Sequence, residues 1–253
     1  EFMRQTQASV VCCTPSYALH LAEVAGREGI ALPDVGVRCL IVAGEAGGSV
    51  PAVRERLQQA WQAQIIDHAG ATEIGPWGFG WRATPGLHII ESSFIAELLP
   101  VTAIRGDSPL RELVLTSLGR YGAPLIRYRT GDVIYTDSPP HECNFMWLPE
   151  GVVGRADDMV IIRGVNVFPS SIDDIVRRIP GISEYRVRVD RDGALDRLQI
   201  EIEALAEDQQ RLLAKLLSTR LGLRITVQRV PQESLQRSEH KARRWIDERF
   251  REP

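Results

Sequence analysis

The sequence predicts an α/β fold in which part of a large domain is followed by a small mobile α/β domain. Three observations support this: strands and helices alternate early in the chain, short strands and turns dominate the middle, and a second α/β alternation ends it. The large-domain part combines a βαβ layer with a β-rich small barrel. The predicted boundaries are 1–153 for the large-domain part (βαβ 9–76, β-rich 77–150), 154–158 for a hinge and 159–253 for the small lid domain.

Composition excludes several classes of protein. The 253 residues are 44% hydrophobic and 25% charged, which is typical of globular proteins. A net charge of −3 argues against nucleic acid as a partner, and no apolar run approaches the roughly 18 residues that a membrane span needs. Four cysteines are too few for a disulfide framework, so we expect a cytoplasmic location. They are Cys12, Cys13, Cys39 and Cys143.

The βαβ layer is read from apolar runs and prolines. Buried strands are predicted at 9–13, 37–42 and 64–67. Helices begin near Pro15 and Pro51, where proline is well tolerated in a first helical turn. In parallel sheets the loops after the strand carboxyl ends form the ligand crevice. The loops 43–49 and 68–76 are therefore expected to line a site.

The rest of the chain is predicted in two parts. Short strands at 87–90, 94–99, 112–116 and 132–135 indicate an antiparallel sheet or small barrel. In the small domain, a helix starts at Pro169 and ends before Pro180-Gly181. Further elements are predicted as strands at 159–163, 184–190, 198–202 and 224–230, a helix at 208–221 and a final basic helix at 241–250.

Four motifs occur in order along the chain. They are Ala69-Gly70-Ala71-Thr72-Glu73, Tyr128-Arg129-Thr130-Gly131-Asp132, Gly154-Arg155-Ala156-Asp157-Asp158 and Ser238-Glu239-His240-Lys241-Ala242-Arg243-Arg244. This set resembles the adenylate-forming acyl–coenzyme A ligases, specifically the phenylacetate–coenzyme A ligase branch. The resemblance implies that ATP activates a carboxylic acid, aryl or otherwise apolar, to an acyl-adenylate. Coenzyme A then displaces AMP. The implied cofactors are ATP/AMP, Mg²⁺ and coenzyme A.

The resemblance gives three residues catalytic roles. Lys241 would neutralise the charge that develops on the reacting carboxylate and α-phosphate. Thr72 would bond a phosphate oxygen, and Glu73 would hold Mg²⁺, which prefers oxygen ligands and phosphate bridging. Each of these positions also has a plainer interpretation as a polar loop or surface residue.

A larger set would bind the nucleotide and coenzyme A. Asp132 would accept both ribose hydroxyls, although a turn-capping aspartate is the plainer alternative. Asp157 matches the hinge position, and Gly164 would line the pantetheine tunnel. Many relatives carry an adenine-stacking aromatic where Ala69 stands. The whole cofactor-binding set is Gly44, Glu45, Ala46, Asp67, His68, Ala69, Asp132, Arg155 and Gly164.

Two further sites are weaker predictions. A zinc site would use His88, His141 and Cys143, which are three possible ligands where structural zinc takes four. A surface loop and a strand histidine are the plainer interpretation. Aromatic residues that could line the acyl pocket are also common in plain cores. They are Tyr17, Trp77 and Phe79.

The sequence has no Ser/Thr/Gly-rich phosphate loop ahead of the first motif, where relatives have one. We therefore expect either a truncated ligase or a short protein that needs another chain. Exposed apolar surface is expected around 9–42, with self-association or a complementing N-terminal segment as the partner. The alternative function is a degenerate, non-catalytic nucleotide-binding or scaffold module. An unrelated metal-dependent enzyme is a third and weaker hypothesis.

Overall fold

The chain divides into two compact units, 1–157 and 158–253, and each is described by itself. The division falls inside the segment predicted as a hinge, 154–158. The computed structural model describes residues 2–81, 84–101, 104, 108–140, 142–192, 195–236 and 244–249.

The first unit contains a six-stranded mixed sheet in the order β1-β2-β3-β4-β5-β9. Its first three strands are parallel, and the later ones pair antiparallel. The strands are β1 (Val10–Cys13), β2 (Cys39–Val42), β3 (Gln64–Ala71), β4 (Gly75–Trp81), β5 (Thr84–Ile89) and β9 (Trp147–Leu148). The helices are α1 (Phe2–Gln5), α2 (Pro15–Arg27) and α3 (Pro51–Trp61), with a short 3₁₀ turn at Leu32–Val35.

Local sequence explains where the two long helices begin and how they pack. Thr14 caps α2, since the Tyr17 N–H donates to its hydroxyl at 3.3 Å, and Pro15 occupies the first turn. Helix α3 also has a proline, Pro51, in its first turn, but the residue before it, Val50, makes no side-chain cap. At its end, the buried Trp61 indole donates to the Ala18 carbonyl at 3.1 Å. That bond ties α3 to α2 inside a shared apolar core.

The predicted loop 68–76 is wrong, because most of it is strand. Strand β3 continues to Ala71 after its parallel pairing with β2 ends at Asp67. Beyond that point β3 pairs antiparallel with β4, starting at His68 opposite Phe79. The turn between the two strands is confined to 72–74. The antiparallel partner, which lies later in the chain, keeps the backbone extended.

The β-rich part also contains a four-stranded antiparallel sheet in the order β10-β8-β7-β6. Within the described ranges its edges are β10 and β6. Buried Leu113, Leu115 and Ile134 join this sheet to β4, β5 and β9 in one core. The strands are β6 (Phe94–Pro100), β7 (Arg111–Ser117), β8 (Tyr128–Ile134) and β10 (Val152–Arg155).

The second unit is a small α/β layer. Its four-stranded sheet has the order β15-β14-β13-β16, and a separate hairpin joins β11 to β12. The predicted helix 241–250 is wrong at Trp245–Asp247, which form a strand parallel to β13. Pairing with a distant strand overrides the local preference there. The elements are β11 (Val160–Ile162), β12 (Val165–Val167), α4 (Pro169–Arg177), β13 (Ile182–Asp192), β14 (Leu195–Ala204), α5 (Glu207–Leu221), β15 (Thr226–Val230) and β16 (Trp245–Asp247).

Apolar residues are exposed in the region where the sequence predicts them. Val10, Tyr17 and Ile30 are 48%, 42% and 37% exposed, and β1 is an edge strand of its sheet. Association through this surface stays a prediction. Among the described helices, none has the length and apolar character that crossing a membrane requires.

Candidate functional site

Asp132 lies in β8 on a turn that its neighbours fix. The buried Thr130 hydroxyl donates to the Leu113 carbonyl at 2.9 Å and accepts the Asp132 N–H at 3.0 Å. Between them, Gly131 has a φ of +76°, and a Cβ there would lie 2.6 Å from Arg155 Nη2. Glycine is therefore required by the backbone geometry, and a larger residue would also displace the Arg155 guanidinium. The turn holds the Asp132 carboxylate in place with its side chain 18% exposed.

Arg155 connects this acid to the end of the first unit. It lies opposite Asp132 in the β8–β10 ladder, and its Nη1 is 3.5 Å from Asp132 Oδ1 and 3.1 Å from the Thr130 carbonyl. The Arg155 Nε lies 2.9 Å from Asp157 Oδ1, and its Nη2 donates to Asp157 Oδ2 at 3.0 Å. That hydrogen bonding lowers the pKa of Asp157 despite partial burial. One guanidinium thus lies between the proposed ribose acid and the proposed hinge residue.

The loop 43–49 is held from two sides. Glu45 accepts the Ser16 N–H at 2.6 Å, so its carboxylate lies at the positive N-terminal end of α2. On the other side, Arg54 donates to the Gly48 carbonyl at 3.0 Å. Gly44 has a φ of +90°, which favours glycine. The loop at the end of β2 is therefore rigidly positioned.

Asp67 is a buried acid that joins this loop to β3. It is 7% exposed, accepts the Ser49 hydroxyl in a short hydrogen bond and accepts the His68 N–H at 2.9 Å. Burial raises the pKa of Asp67 to about 6, although the bonds from Ser49 and His68 and the charge of Arg54 act in the opposite direction. The buried Asp67 carboxyl group therefore joins the loop 43–49 to strand β3 through hydrogen bonds.

The segment from the end of β3 into β4 contains both exposed and buried residues. Thr72 and Glu73 lie in the exposed turn, where the Arg120 guanidinium donates to the Glu73 carbonyl. Ala69 is 7% exposed and packs beside Gly78, on which a Cβ would lie 3.1 Å from the Ala69 methyl group. The hydroxyl and carboxylate of the turn can reach a phosphate or cation, whereas the side chain at position 69 belongs to the core.

The chain is similar to known proteins along nearly its whole length. Residues 164–249 match the family model described as the AMP-binding enzyme C-terminal domain. Phenylacetate–coenzyme A ligase of Pseudomonas putida is 34% identical over 99% of this chain, and that of Escherichia coli (strain K12) is 30% identical over 98%. The chain spans 60% of the length of each. A crystal structure of 2-hydroxyisobutyryl-CoA ligase in the postadenylation state superposes with a TM-score of 0.88 at 31% identity, covering 98% of this chain and 56% of that one.

Over nearly its whole length, the chain is similar to phenylacetate–coenzyme A ligases and to 2-hydroxyisobutyryl-CoA ligase. The predicted family and the α/β fold class are thereby confirmed. The roles of individual residues are a separate matter and stay predictions.

The first unit brings most of the predicted nucleotide-binding residues into two groups. In the first group, Arg155 contacts both Asp132 and Asp157 at one end of the β8–β10 ladder. A second group comprises the loop 43–49 and the 67–73 segment, which the Ser49–Asp67 bond joins. Lys241 lies outside the described residues.

Gly164 occupies the turn of the β11–β12 hairpin in the second unit. Its φ is +82°, and that of Arg163 beside it is +49°. A Cβ built on Gly164 would meet nothing within 4 Å. Within this unit the glycine is needed for backbone conformation. Its predicted contact with pantetheine stays a prediction.

Two of the three proposed zinc ligands, His88 and Cys143, lie in the described part of the chain. His88 is 1% exposed, and its Nδ1 lies 3.2 Å from the Phe145 carbonyl. Cys143 is half-buried, and His141 lies outside the described residues. In the part of the chain that is described, no group of three or more His, Cys, Asp or Glu side chains could hold a metal ion.

The three aromatic residues named for the acyl pocket have different surroundings. Trp77 is 1% exposed and belongs to the core. Phe79 is half-buried, with ring centroids 5.5 Å from His88 and 6.1 Å from Phe145. Tyr17 is 42% exposed at the start of α2. Of the three, Trp77 is best described as a structural residue.

Sequence reasoning missed several residues that shape the site. Ser49, Thr130 and Arg120 hold Asp67, Asp132 and the Glu73 backbone respectively. Thr130 could have been found, because it stands within the Thr130-Gly131-Asp132 motif. Ser49 and Arg120 carried no comparable signal, since their partners are distant in sequence.

Proposed function

We propose that this chain provides the nucleotide-binding part and the lid of an ATP-dependent acid–thiol ligase. In this reaction a carboxylate attacks the ATP α-phosphate to give an acyl-adenylate and pyrophosphate. The thiol of coenzyme A then attacks the acyl carbon and displaces AMP. The observation that carries the proposal is the Asp132–Arg155–Asp157 contact at the boundary between the two units. This contact places an acid for the ribose, Asp132, next to the proposed hinge residue, Asp157.

Each group has a role that its chemistry suits. The Asp132 carboxylate accepts the two ribose hydroxyls in charge-assisted bonds, and Arg155 lies within reach of the ribose or phosphate. The backbone of 44–46 runs beside the adenine. Thr72 bonds a phosphate oxygen. Glu73 fits Mg²⁺, which in phosphate sites takes one or two carboxylates with phosphate oxygens, and the ion would neutralise phosphate charge there.

Lys241 is proposed as the cation of the adenylation step. Of the 30 basic residues only two are lysines, Lys215 and Lys241. Most basic residues of the chain are arginines, and one of the two lysines stands at the motif position. An ammonium is a compact point charge on a flexible stem, suited to following a charge as it moves between carboxylate and phosphate. The choice of lysine there supports a chemical role over a solvated surface charge.

The substrate is proposed to be an aryl or other apolar carboxylic acid. The names of the relatives specify phenylacetate and 2-hydroxyisobutyrate. In this chain Phe79 lies among His88 and Phe145, which gives an aromatic environment beside β3. That environment favours an aryl acid over a charged one.

Calorimetry tests nucleotide binding directly. The 253-residue chain is titrated with AMP and with a non-hydrolysable phenylacetyl sulfamoyl adenosine. We expect saturable binding of both, weakened about tenfold or more by Asp132→Asn because a charge-assisted bond is lost. The matched control is Asp137→Asn, at an exposed acid of the same unit, which should bind like wild type. Absence of heat with both ligands would contradict the proposal.

Pyrophosphate exchange then separates the ligase from the alternative module. ATP–pyrophosphate exchange that depends on phenylacetate supports activation of the acid. Binding of AMP without exchange by any aryl or fatty acid would instead favour the degenerate nucleotide-binding module. Binding and exchange thus distinguish the two functions.

A further inference from the structure

The loop 43–49, which follows β2 in the first unit, has an exposed tip and a buried base. The tip, 44–46, is exposed at its first and last residues, whereas the three residues of the base, 47–49, are all buried. Ser49 at the end of the base is 4% exposed. The tip is the part proposed to run beside the adenine. The contacts that hold the base therefore decide where the tip lies.

The buried base passes closely between helix α2 and strand β3. A Cβ built on Gly47 would lie 2.6 Å from Pro15 Cβ, and one built on Gly48 would lie 2.5 Å from Asp67 Oδ1. A side chain on either glycine would displace its neighbour, so glycine is what allows the backbone to approach both elements. The base is thus confined sterically from two sides.

Directional hydrogen bonds fix the base as well. The Ser49 hydroxyl donates to Asp67 Oδ2 in a short hydrogen bond, and Asp67 Oδ1 accepts the His68 N–H at 2.9 Å. Both oxygens of the carboxyl group therefore have donors within the protein. From α3, Arg54 donates to the Gly48 carbonyl at 3.0 Å. Steric contact and hydrogen bonding together leave the base one position.

A further segment encloses the bond between Ser49 and Asp67. A Cβ on Gly151, which follows β9, would lie 2.8 Å from Ser49 Oγ and 3.1 Å from Asp67 Oδ2. The two residues are only 4% and 7% exposed, so the bond between them is closed to solvent. We therefore expect the pair to act on a nucleotide through the backbone of the loop.

We propose that Ser49 and Asp67 are positioning residues for the loop 43–49, and that their bond sets how strongly the site selects adenine over other purines. The inference rests on the proposed function, in which 44–46 runs beside the adenine. The amino group of adenine can donate to a fixed backbone carbonyl, whereas a purine with an oxygen at that position cannot. A site built to bond a group rejects the analogue that lacks it, but a loosened loop adapts to either base.

Calorimetry with AMP and inosine monophosphate (IMP) tests this on the 253-residue chain. The two ligands share the ribose and the phosphate, so the ratio of their dissociation constants isolates recognition of the base. We expect wild type to bind AMP about tenfold more tightly than IMP. Ser49→Ala should lower this preference to about threefold or less. Its affinity for IMP should be unchanged, because Asp132 and Arg155 are intact.

Two further variants separate positioning from general damage to the unit. Arg54→Met removes the bond to the Gly48 carbonyl and should lower the preference for AMP about two- to fivefold. Ser117→Ala is the matched control. It makes the same chemical change at a hydroxyl that accepts the Leu125 N–H at 3.3 Å, in a different loop of the same unit, and should keep the wild-type ratio.

The outcomes distinguish failure of this inference from failure of the proposed function. If wild type binds neither nucleotide, the proposed function fails and the inference fails with it. If wild type binds AMP and IMP equally well, nucleotide binding stands and the inference is overturned. An unchanged ratio in Ser49→Ala, even with a lower melting temperature, would show that the bond is only structural. If Ser49→Ala loses its circular dichroism spectrum, Arg54→Met decides the question.

Discussion

Replacing Asp67 with asparagine should change how stability depends on pH. The pKa of Asp67 is raised from 3.8 to about 6 in the folded chain, chiefly by burial. Below pH 3.8 the group is protonated in both states, so folding carries no penalty. Between the two values the unfolded chain releases the proton and the folded chain retains it, so stability falls as pH rises. A shift of that size corresponds to about 3 kcal/mol in the free energy of unfolding.

Asp67→Asn removes this penalty because the amide does not ionise. The variant loses one acceptor, since the carboxylate takes bonds from both Ser49 and the His68 N–H, and that loss costs about 1 kcal/mol at any pH. We therefore expect the variant to be less stable than wild type at pH 4 and more stable by about 2 kcal/mol at pH 7. The crossover in sign is the diagnostic feature.

Urea unfolding at several values between pH 4 and 7 measures the effect. Tryptophan fluorescence reports mainly on the first unit, which holds four of the five tryptophans, Trp61, Trp77, Trp81 and Trp147. The matched control is Asp34→Asn, at an exposed acid of the same unit. The difference between wild type and the Asp67 variant should change by about 2.5 kcal/mol over this range. A difference that is constant with pH would refute the argument.

Three further substitutions test the packing of the chain. Gly131→Ala should destabilise the first unit by about 1–3 kcal/mol in urea unfolding and weaken AMP binding in calorimetry, because the new methyl group strains the backbone and would lie 2.6 Å from Arg155 Nη2. Gly164→Ala should cost only about 1 kcal/mol in the melting of the second unit, since the space around it is open and only its φ of +82° is unfavourable; an effect larger than that of Gly131→Ala would contradict this. Trp61→Phe should destabilise by about 1–3 kcal/mol through the lost bond to Ala18 and the lost volume, and unaltered thermal unfolding would show that the bond is unimportant.

The sequence predicted those elements whose signals are local. Helix α4 begins at Pro169 and α5 ends beside Gly222, which has a φ of +66°, and both limits agree closely with the pattern of proline, glycine and apolar spacing. Strands were predicted at 184–190 and 198–202, and both lie inside the observed β13 (Ile182–Asp192) and β14 (Leu195–Ala204). In each case the residues that define the element lie within it.

Features that depend on distant partners could not be predicted in this way. Asp67 is buried because glycines from three separate segments crowd it: a Cβ on Gly48, Gly80 or Gly151 would lie within 3.1 Å of its atoms. Strand β16 exists because β13 offers it a partner. Reading one segment at a time gives no access to such contacts. The sequence placed Asp67 at the end of a predicted buried strand and in the nucleotide-binding set, but it did not reveal the contacts that enclose its carboxyl group.

The contacts of Arg155 limit where rotation at the proposed hinge could begin. Its guanidinium holds both oxygens of Asp157, the last residue of the first unit, while the Ala156 N–H donates to the Gly131 carbonyl at 2.7 Å. The chain is thus fixed up to 157 by the same turn that presents Asp132. If the lid rotates about this junction, the rotation must begin at or after Asp157. If the Asp157 backbone itself turns, the hydrogen bonds between Arg155 and the Asp157 carboxylate must break. A ribose bound at Asp132 would also contact the Arg155 guanidinium. Ligand binding and rotation at Asp157 would therefore both change the contacts of Arg155.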